Sequence, residues 1–176
     1  MKNALILHGT GASPEANWFS WLKNELEKKD YKVWLPQLPQ ADTPNIDRYS
    51  KFLLSKDWNF NQDSIIIGHS SGSVATLGLL QALPAGTKVD TCILVGTFNG
   101  SLGWDNLKDL EKVKFDWEKI KSKARKFIFL HSDDDPHCPL DHAKFQAKKL
   151  DGELIVKSGE GHFMIEKLPF LLTLLK

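Results

Sequence analysis

Ser70 is the residue of this 176-residue chain whose surroundings most favour chemistry. It lies in Gly-His-Ser-Ser-Gly (68–72), which follows the apolar run 65–67 and precedes a segment of small and apolar residues. This order predicts a strand, a tight turn and a helix, with the serine hydroxyl presented at the apex of the turn. The pentapeptide alone is a weak signal because it occurs by chance in unrelated chains, so its meaning depends on partners elsewhere.

Candidate partners of Ser70 follow other predicted strands. Thr10 comes after the first apolar run, three aspartates (133–135) come after the fifth, and His162 comes after the sixth. In an open parallel sheet, ligands bind beyond the carboxyl ends of the strands, so residues at those ends meet at one edge. We therefore expect a hydroxyl, a carboxylate and an imidazole in one site.

Each of these groups has a role in acyl transfer. A serine hydroxyl is a poor nucleophile until a base takes its proton, and the His162 imidazole can accept that proton and later return it. A carboxylate orients the ring and stabilises the transient imidazolium. The backbone N–H groups of Thr10 and Ser71 are the predicted donors to the oxyanion of the tetrahedral intermediate.

The elements that must hold this site alternate along the chain. Short apolar runs typical of buried parallel strands alternate with segments of helical periodicity, which predicts an α/β fold with a mainly parallel sheet. The six runs are 4–7, 33–35, 65–67, 91–95, 127–130 and 154–156. Ser13-Pro14 predicts the start of the first helix, and a last helix is predicted over about 163–175. The segment after Ser70 is apolar nearly all round, so its helix should be buried.

The segment 99–116 interrupts this alternation. It carries glycines and then charges, and a loop of this length in a compact domain is usually functional or a small lid. We predict that Phe98, Trp104 and Phe115 line an acyl or leaving-group pocket, with ordinary packing as an equal alternative.

The sequence resembles the α/β-hydrolase superfamily and, within it, the small serine hydrolases related to retinoblastoma-binding protein 9. The matching segments are 7–10, 17–18, 35–39, 68–72, 117–120, 134–136 and 161–163, spread over nearly the whole chain. The resemblance implies a three-layer α/β/α sandwich with six parallel strands in the order 2-1-3-4-5-6, a minimal form with little or no cap. It also implies hydrolysis of an ester or amide without a cofactor. Tyr49 departs from the pattern, since tryptophan is commoner there, but this affects no catalytic residue.

Three consecutive aspartates leave the identity of the acid open. Members of the superfamily commonly carry a proline three or four residues after the acid, and Asp135 fits this spacing best because Pro139 follows it. We therefore predict Ser70, Asp135 and His162 as the catalytic residues, with Asp134 as the alternative acid.

Other polar residues receive structural interpretations. His8 is expected to order its loop by hydrogen bonding, and the His69 side chain is expected to point away from the nucleophile. The histidines and aspartates of 131–142 match no zinc-binding pattern, so we predict no metal. Cys138 is a poor candidate nucleophile because no base has a place beside it in the strand pattern.

Composition excludes several classes of function. The chain has 23 basic and 22 acidic side chains, and this balance favours neither nucleic acid nor an acidic partner arm. No segment is apolar for long enough to span a membrane or to form a secretory leader, which predicts a cytoplasmic protein. We expect one domain over 1–176, with 99–116 as a short lid-like insertion and no disulfide between Cys92 and Cys138.

The sequence thus predicts a serine hydrolase that works through an acyl-enzyme. The substrate class that fits best is a small to medium acyl ester, which makes the chain a carboxylesterase with no cofactor. Thioesterase and aminopeptidase activities share the same tetrahedral chemistry and remain open. A protein-interaction scaffold that retains the fold without catalysis is the alternative from another class, since fold does not establish function. No particular protein partner can be inferred.

Overall fold

The chain folds around a six-stranded sheet in which every strand pairs in parallel with its neighbours, in the order β2-β1-β3-β4-β5-β6. The structure is a computed structural model that describes residues 1–175. The strands are β1 (Asn3–Leu7), β2 (Lys32–Trp34), β3 (Ser64–His69), β4 (Val89–Val95), β5 (Ala124–Ser132) and β6 (Glu153–Lys157). Both the six strands and the predicted order are confirmed.

Helices cover both faces of the sheet. They are α1 (Phe19–Glu27), α2 (Ile46–Leu54), α3 (Ser71–Ala82), α4 (Lys108–Glu111), α5 (Trp117–Ser122), α6 (Leu140–Leu150) and α7 (Phe170–Thr173). A short 3₁₀ helix (Asp105–Leu107) precedes α4, so the segment 99–116 contains two single-turn elements. None of these helices is long and apolar enough to cross a lipid bilayer, within the part of the chain that the structure describes.

Two apolar cores result from the alternation of side chains along the strands. In β3, Ile66 packs with α2 and α3 on one face, whereas Ile65 and Ile67 pack with α1 and α7 on the other. Such alternation is the period of two that an extended strand imposes. Because helices cover both faces of the sheet, the strands carry apolar residues on both sides. Each strand is therefore a short continuous apolar run in the sequence. The prediction of a buried α3 is also confirmed, since every residue from Ser71 to Leu80 is buried.

Two predicted helix boundaries are wrong. The first helix begins at Phe19 rather than at Ser13-Pro14, because Asn17 has a φ of 48° and separates an initial turn from the helix. The last helix covers only Phe170–Thr173 instead of starting near Phe163, whose φ of 53° is incompatible with a right-handed helix. Both errors occur where a non-glycine residue adopts a left-handed conformation, which helical periodicity does not reveal.

The contact between the end of β3 and the start of α3 leaves no room for side chains. A Cβ added at Gly68 would lie 2.5 Å from the carbonyl oxygen of Gly72, and one added at Gly72 would overlap the carbonyl of Leu7. The two glycines therefore set the distance between α3 and the neighbouring strands β1 and β3. This close approach places the residue between them, Ser70, at the carboxyl edge of the sheet.

We expect Gly68→Ala to lower the free energy of unfolding by about 3 kcal/mol, because the new methyl group must displace backbone atoms of the following helix. Gly86→Ala is the matched control: its φ is 79°, but nothing lies within 4 Å of the added Cβ. That control should lose only about 1 kcal/mol, from the left-handed conformation alone. Urea denaturation of both variants measures the difference. Equal losses would contradict the steric argument.

Candidate active site

Ser70 occupies the apex of a sharp turn between β3 and α3. Its backbone has φ 55° and ψ −124°, a conformation that is rare for a residue with a side chain. The turn is held by the Ser70 N–H, which donates to the carbonyl of Val95 (2.9 Å), and by the Ser73 N–H, which donates to the carbonyl of Ser70 (2.9 Å). Strained backbone that neighbours hold in this way is concentrated at functional sites.

His162 and Asp135 meet at the same edge of the sheet. Nδ1 of His162 donates to Oδ2 of Asp135 at 2.7 Å, although 27 residues separate them in the sequence. The aspartate follows β5 and the histidine follows β6, so the pairing of these two strands brings the side chains together. Gly96, after β4, allows the approach: a Cβ there would lie 3.0 Å from Cε1 of the His162 ring.

The Asp135 carboxylate is held in its ionised form. Burial raises its pKa, but the hydrogen bond from His162 and those from the backbone N–H groups of Cys138 (2.9 Å) and His137 (2.8 Å) outweigh burial. The net effect lowers the pKa of Asp135 below its ordinary value of 3.8. Oδ1 is engaged by the backbone and Oδ2 by the imidazole, so both oxygens have partners.

The other two aspartates of the run hold the loop rather than the imidazole. Oδ1 of Asp134 accepts from the Ser132 hydroxyl (2.6 Å) and from the Gly161 N–H (2.9 Å), and these bonds lower the pKa of Asp134. Asp133 accepts from the Gly159 N–H at 3.3 Å. The structure therefore brings Asp135 to His162 and places Asp134 behind it, as a tie to the loop that carries the histidine.

Thr10 and Ser71, the two predicted oxyanion donors, lie next to each other. The Thr10 hydroxyl donates to the Ser71 hydroxyl at 2.9 Å across 61 residues of sequence. Ser71 is the first residue of α3, and the first N–H groups of a helix have no partner within it. Thr10 lines the same cavity as Ser70. The two backbone segments are thus joined on one side of Ser70.

A cavity of about 230 Å³ opens above these residues. Ser70 and His162 both line it, and Trp104 from the 99–116 segment forms part of its wall. Phe98 and Phe115 are not among the lining residues: Phe98 is buried in the core, and Phe115 packs against Trp117 with ring centroids 5.4 Å apart. No Lys, Arg, Asp or Glu within residues 1–175 lines the cavity.

Several lining residues were not predicted from the sequence. Leu102 and Leu107 from the 99–116 segment, Met164 after His162, and Cys138 after Asp135 all face the cavity. His137 lies edge-on to the His162 ring at a centroid distance of 5.1 Å. Its position and that of Cys138 follow from the turn in which their N–H groups bind the Asp135 carboxylate. An aspartate that binds the backbone two and three residues ahead is a recognisable turn signal.

His8 and His69 take part in the site through the backbone. Nδ1 of His8 donates to the carbonyl of Gly9 (2.9 Å), and its Nε2 accepts from the Leu38 N–H (3.0 Å), which confirms that it orders the loop. Burial lowers the pKa of His8, in keeping with a neutral ring. His69 donates from Nε2 to the carbonyl of His162 at 2.8 Å. It therefore turns towards the loop that carries His162 and lines the same cavity as Ser70, so the prediction that it points away from the nucleophile is wrong.

Three donor atoms in the site could in principle hold a metal ion. One atom each of Asp135, Cys138 and His162 lies within 4.8 Å of the others. Burial raises the pKa of the Cys138 thiol and the Asp135 charge raises it further, although the neighbouring Ser70 hydroxyl acts in the opposite direction. Because metals bind the thiolate and the carboxylate already binds the imidazole, this donor set fits a metal poorly.

The parallel sheet, the turn at Ser70 and the strand order define the α/β-hydrolase fold. A model of the serine hydrolase family matches residues 4–168, and the chain therefore belongs to this family. The YdeN protein of Bacillus subtilis (strain 168) is 27% identical over 164 residues, which are 93% of this chain and 86% of that protein. The serine hydrolase RBBP9 of Rattus norvegicus is 27% identical over 178 residues, covering 98% and 93% of the two chains.

Solved structures agree with this assignment. The crystal structure of the ydeN gene product from B. subtilis has a TM-score of 0.91 at 27% identity and covers 99% of this chain and 97% of that one. Est1E from Butyrivibrio proteoclasticus, solved with ferulic acid bound, has a TM-score of 0.75 at 13% identity. The match covers 99% of this chain and 86% of the Est1E chain. At that identity the second match supports the fold alone. The prediction of a small serine hydrolase with the α/β-hydrolase fold is confirmed.

The lowered pKa of Asp135 predicts a pH-dependent contribution to stability. A carboxylate whose pKa is lower in the folded state stabilises the fold above its unfolded-state pKa, and this stabilisation is lost as the pH falls through the folded-state value. Asp135→Asn should therefore lower the melting temperature near pH 6, and the difference from wild type should shrink below about pH 3.8.

Thermal denaturation followed by circular dichroism across this pH range measures the effect. Asp133→Asn removes an exposed carboxylate from the same loop and controls for the change in net charge. A difference between wild type and Asp135→Asn that stays constant down to the lowest pH would contradict the stabilising role of the ionised carboxylate.

Proposed function

We propose that this serine hydrolase is a carboxylesterase that acts through an acyl-enzyme, with Ser70 as nucleophile, His162 as general base and Asp135 as the acid that orients it. The observation that carries the proposal is the 2.7 Å contact between Nδ1 of His162 and Asp135, beside a cavity that both His162 and Ser70 line. Nucleophile, base and orienting acid in one site form the arrangement that activates a serine hydroxyl.

The direction of proton transfer follows from the bond to Asp135. Because Nδ1 of His162 is engaged by the carboxylate, Nε2 is the ring nitrogen left to take the Ser70 proton. The Ser70 oxygen then bonds to the ester carbon, and the electron pair of the carbonyl moves to its oxygen. When the intermediate collapses, the alcohol leaves with the proton from His162, and water repeats both steps to release the acid.

The transient oxyanion needs donors that are already in place. We assign this role to the backbone N–H groups of Thr10 and Ser71, which adjoin Ser70 and are joined by the hydrogen bond between their side chains. Donors held in advance cost no reorganisation at the moment when the charge develops. Ser71 adds the positive end of the α3 dipole, which favours an anion at that position.

The size and lining of the cavity favour a substrate with an uncharged acyl group of small to medium size. Its volume of about 230 Å³ is below the range typical of drug-sized ligand pockets. Trp104, Leu102 and Met164 give it an apolar wall, and within residues 1–175 no cationic side chain is present there to bind a substrate carboxylate. These properties favour simple esters over charged substrates.

Ser70→Ala should abolish covalent labelling by a fluorophosphonate probe and lower ester hydrolysis to background, because the nucleophilic oxygen is removed. Labelling read by gel fluorescence and mass spectrometry measures the first effect. A panel of p-nitrophenyl esters, thioesters and aminoacyl amides of graded acyl length measures the second. We expect the short and medium esters to be hydrolysed fastest.

Ser158→Ala, which changes an exposed loop serine, is the control and should label as wild type does. Folded wild-type protein that does not react with the probe would exclude the proposed mechanism and favour the scaffold interpretation. Faster turnover of thioesters or amides would retain the mechanism and reassign the substrate.

Asp135→Asn should lower kcat by about 10³–10⁴-fold, because the amide can no longer hold His162 in the tautomer that accepts a proton at Nε2. Asp134→Asn is the matched control on the neighbouring residue and should change kcat by less than about tenfold, since its carboxylate binds the loop backbone and not the imidazole. Steady-state hydrolysis of one short ester by both variants distinguishes them. The reverse order of effects would identify Asp134 as the acid.

A further inference from the structure

His69 makes a buried hydrogen bond to the segment that carries His162. Its Nε2 donates to the His162 carbonyl at 2.8 Å, across 93 residues of sequence, and both residues are buried. The two imidazole rings also pack together, with centroids 4.8 Å apart. Because His69 immediately precedes Ser70, this contact joins the turn of the nucleophile directly to the loop of the base.

Trp18 makes an equivalent bond to the next residue of the same loop. Its indole Nε1 donates to the carbonyl of Phe163 at 3.1 Å, across 145 residues, and its side chain is fully buried. The Trp18 ring also lies edge-on to the ring of His69, with centroids 5.8 Å apart. Two consecutive carbonyls, those of His162 and Phe163, are thus each held by a buried ring N–H from a distant element.

The backbone that these two bonds hold is strained. Gly161 and Phe163, on either side of His162, have φ values of 54° and 53°. Glycine adopts this conformation freely, but for a bulky residue such as phenylalanine it is unfavourable and persists only where the surroundings enforce it. The left-handed turn determines the direction in which the His162 side chain leaves the backbone towards Asp135.

The His69 ring is neutral and carries its hydrogen on Nε2, so it can donate to the His162 carbonyl at all times. A carbonyl oxygen only accepts, so Nε2 must carry the hydrogen, and Nδ1 is a buried atom without a partner among residues 1–175. Burial, assisted by the nearby His162, lowers the pKa of His69 to about 3. The ring is therefore neutral at any pH near neutrality, and its donor does not change with pH.

From these contacts we propose that His69 and Trp18 are positioning residues, whose ring N–H groups hold the strained 161–163 turn so that His162 stays aligned between Asp135 and Ser70. This inference rests on the proposed function, since it assigns a purpose to the alignment of His162. Trp18 does not line the cavity, and the His69 ring, although it packs against the His162 ring, donates its N–H to the backbone. The effect of both N–H groups on the reaction therefore passes through the backbone of the His162 loop.

Two substitutions at position 69 separate the donor from the ring. His69→Phe keeps an aromatic ring and removes the N–H, whereas His69→Gln keeps a side-chain N–H donor and removes the ring. For a short p-nitrophenyl ester we expect His69→Phe to lower kcat by about 10²-fold, the size of effect that a small misplacement of a catalytic group produces. KM should change by less than about threefold, and His69→Gln should recover most of kcat.

The downfield proton NMR signal of His162 Nδ1–H, assigned by its loss in Asp135→Asn, gives a second readout. It should disappear in His69→Phe and persist in His69→Gln. Equal losses of kcat in the two variants, or a wild-type kcat in His69→Phe, would overturn the proposal. If His69→Phe does not fold, Trp18→Phe replaces it as the test, because it keeps an aromatic ring and removes the indole N–H. We expect Trp18→Phe to lower kcat and leave KM unchanged. A wild-type kcat in this variant would overturn the proposal.

The two proposals fail in different ways. Wild-type protein that neither reacts with a fluorophosphonate nor turns over any ester contradicts the proposed function, and the NMR signal still tests the positioning. In that case, loss of the His162 Nδ1–H signal in His69→Phe supports the positioning role of His69. A signal that persists in His69→Phe contradicts the positioning role. Wild-type protein that labels normally, together with an unaffected His69→Phe, contradicts the positioning alone.

Discussion

The left-handed turn at Ser70 is the constraint on which the rest of the structure depends. A residue with a side chain adopts this conformation only at a cost in free energy, so the surroundings must enforce it. The Val95 carbonyl accepts the Ser70 N–H, and Gly68 and Gly72 let strand and helix approach until their backbones touch. The helix α3 is buried because the sheet covers one side of it while α2 and α5 pack against its other sides.

Hydrogen bonds between loops, rather than packing, determine the geometry above that turn. Asp134 and Asp133 accept hydrogen bonds from backbone N–H groups of the loop between β6 and His162. Asp135 accepts one from the backbone N–H of Cys138 with Oδ1 and one from the imidazole with Oδ2. Asp133 and Asp134 are exposed, but Ser132 and His162, which donate to Asp134 and Asp135, are buried. Buried polar groups that have partners favour one arrangement, because each alternative leaves a donor or acceptor without a partner. The consecutive aspartates thus bind two different partners: Asp133 and Asp134 bind the loop, and Asp135 binds the imidazole.

The order of strands and the residues at their ends could be predicted from the sequence because a parallel sheet brings all carboxyl ends to one edge. Thr10, Ser70, Asp135 and His162 are predicted as site residues in this way, and the structure places all four at that edge. Of the cavity wall only Trp104 could be predicted, because the positions of Met164 and Leu102 depend on how their loops turn. Phe98 illustrates the limit: it follows β4 directly, but its carbonyl accepts from buried Gln146 and its ring enters the core.

The separation of the site residues along the chain has a consequence for folding. Residues 10, 70, 135 and 162 belong to segments after four different strands, and parallel strands pair only after long crossovers have closed. Topologies dominated by such distant contacts fold slowly, and no early intermediate built from local contacts contains all four residues. Any hydrolytic activity should therefore appear only in the last step of folding, which makes it a reporter of the complete native sheet rather than of partial structure.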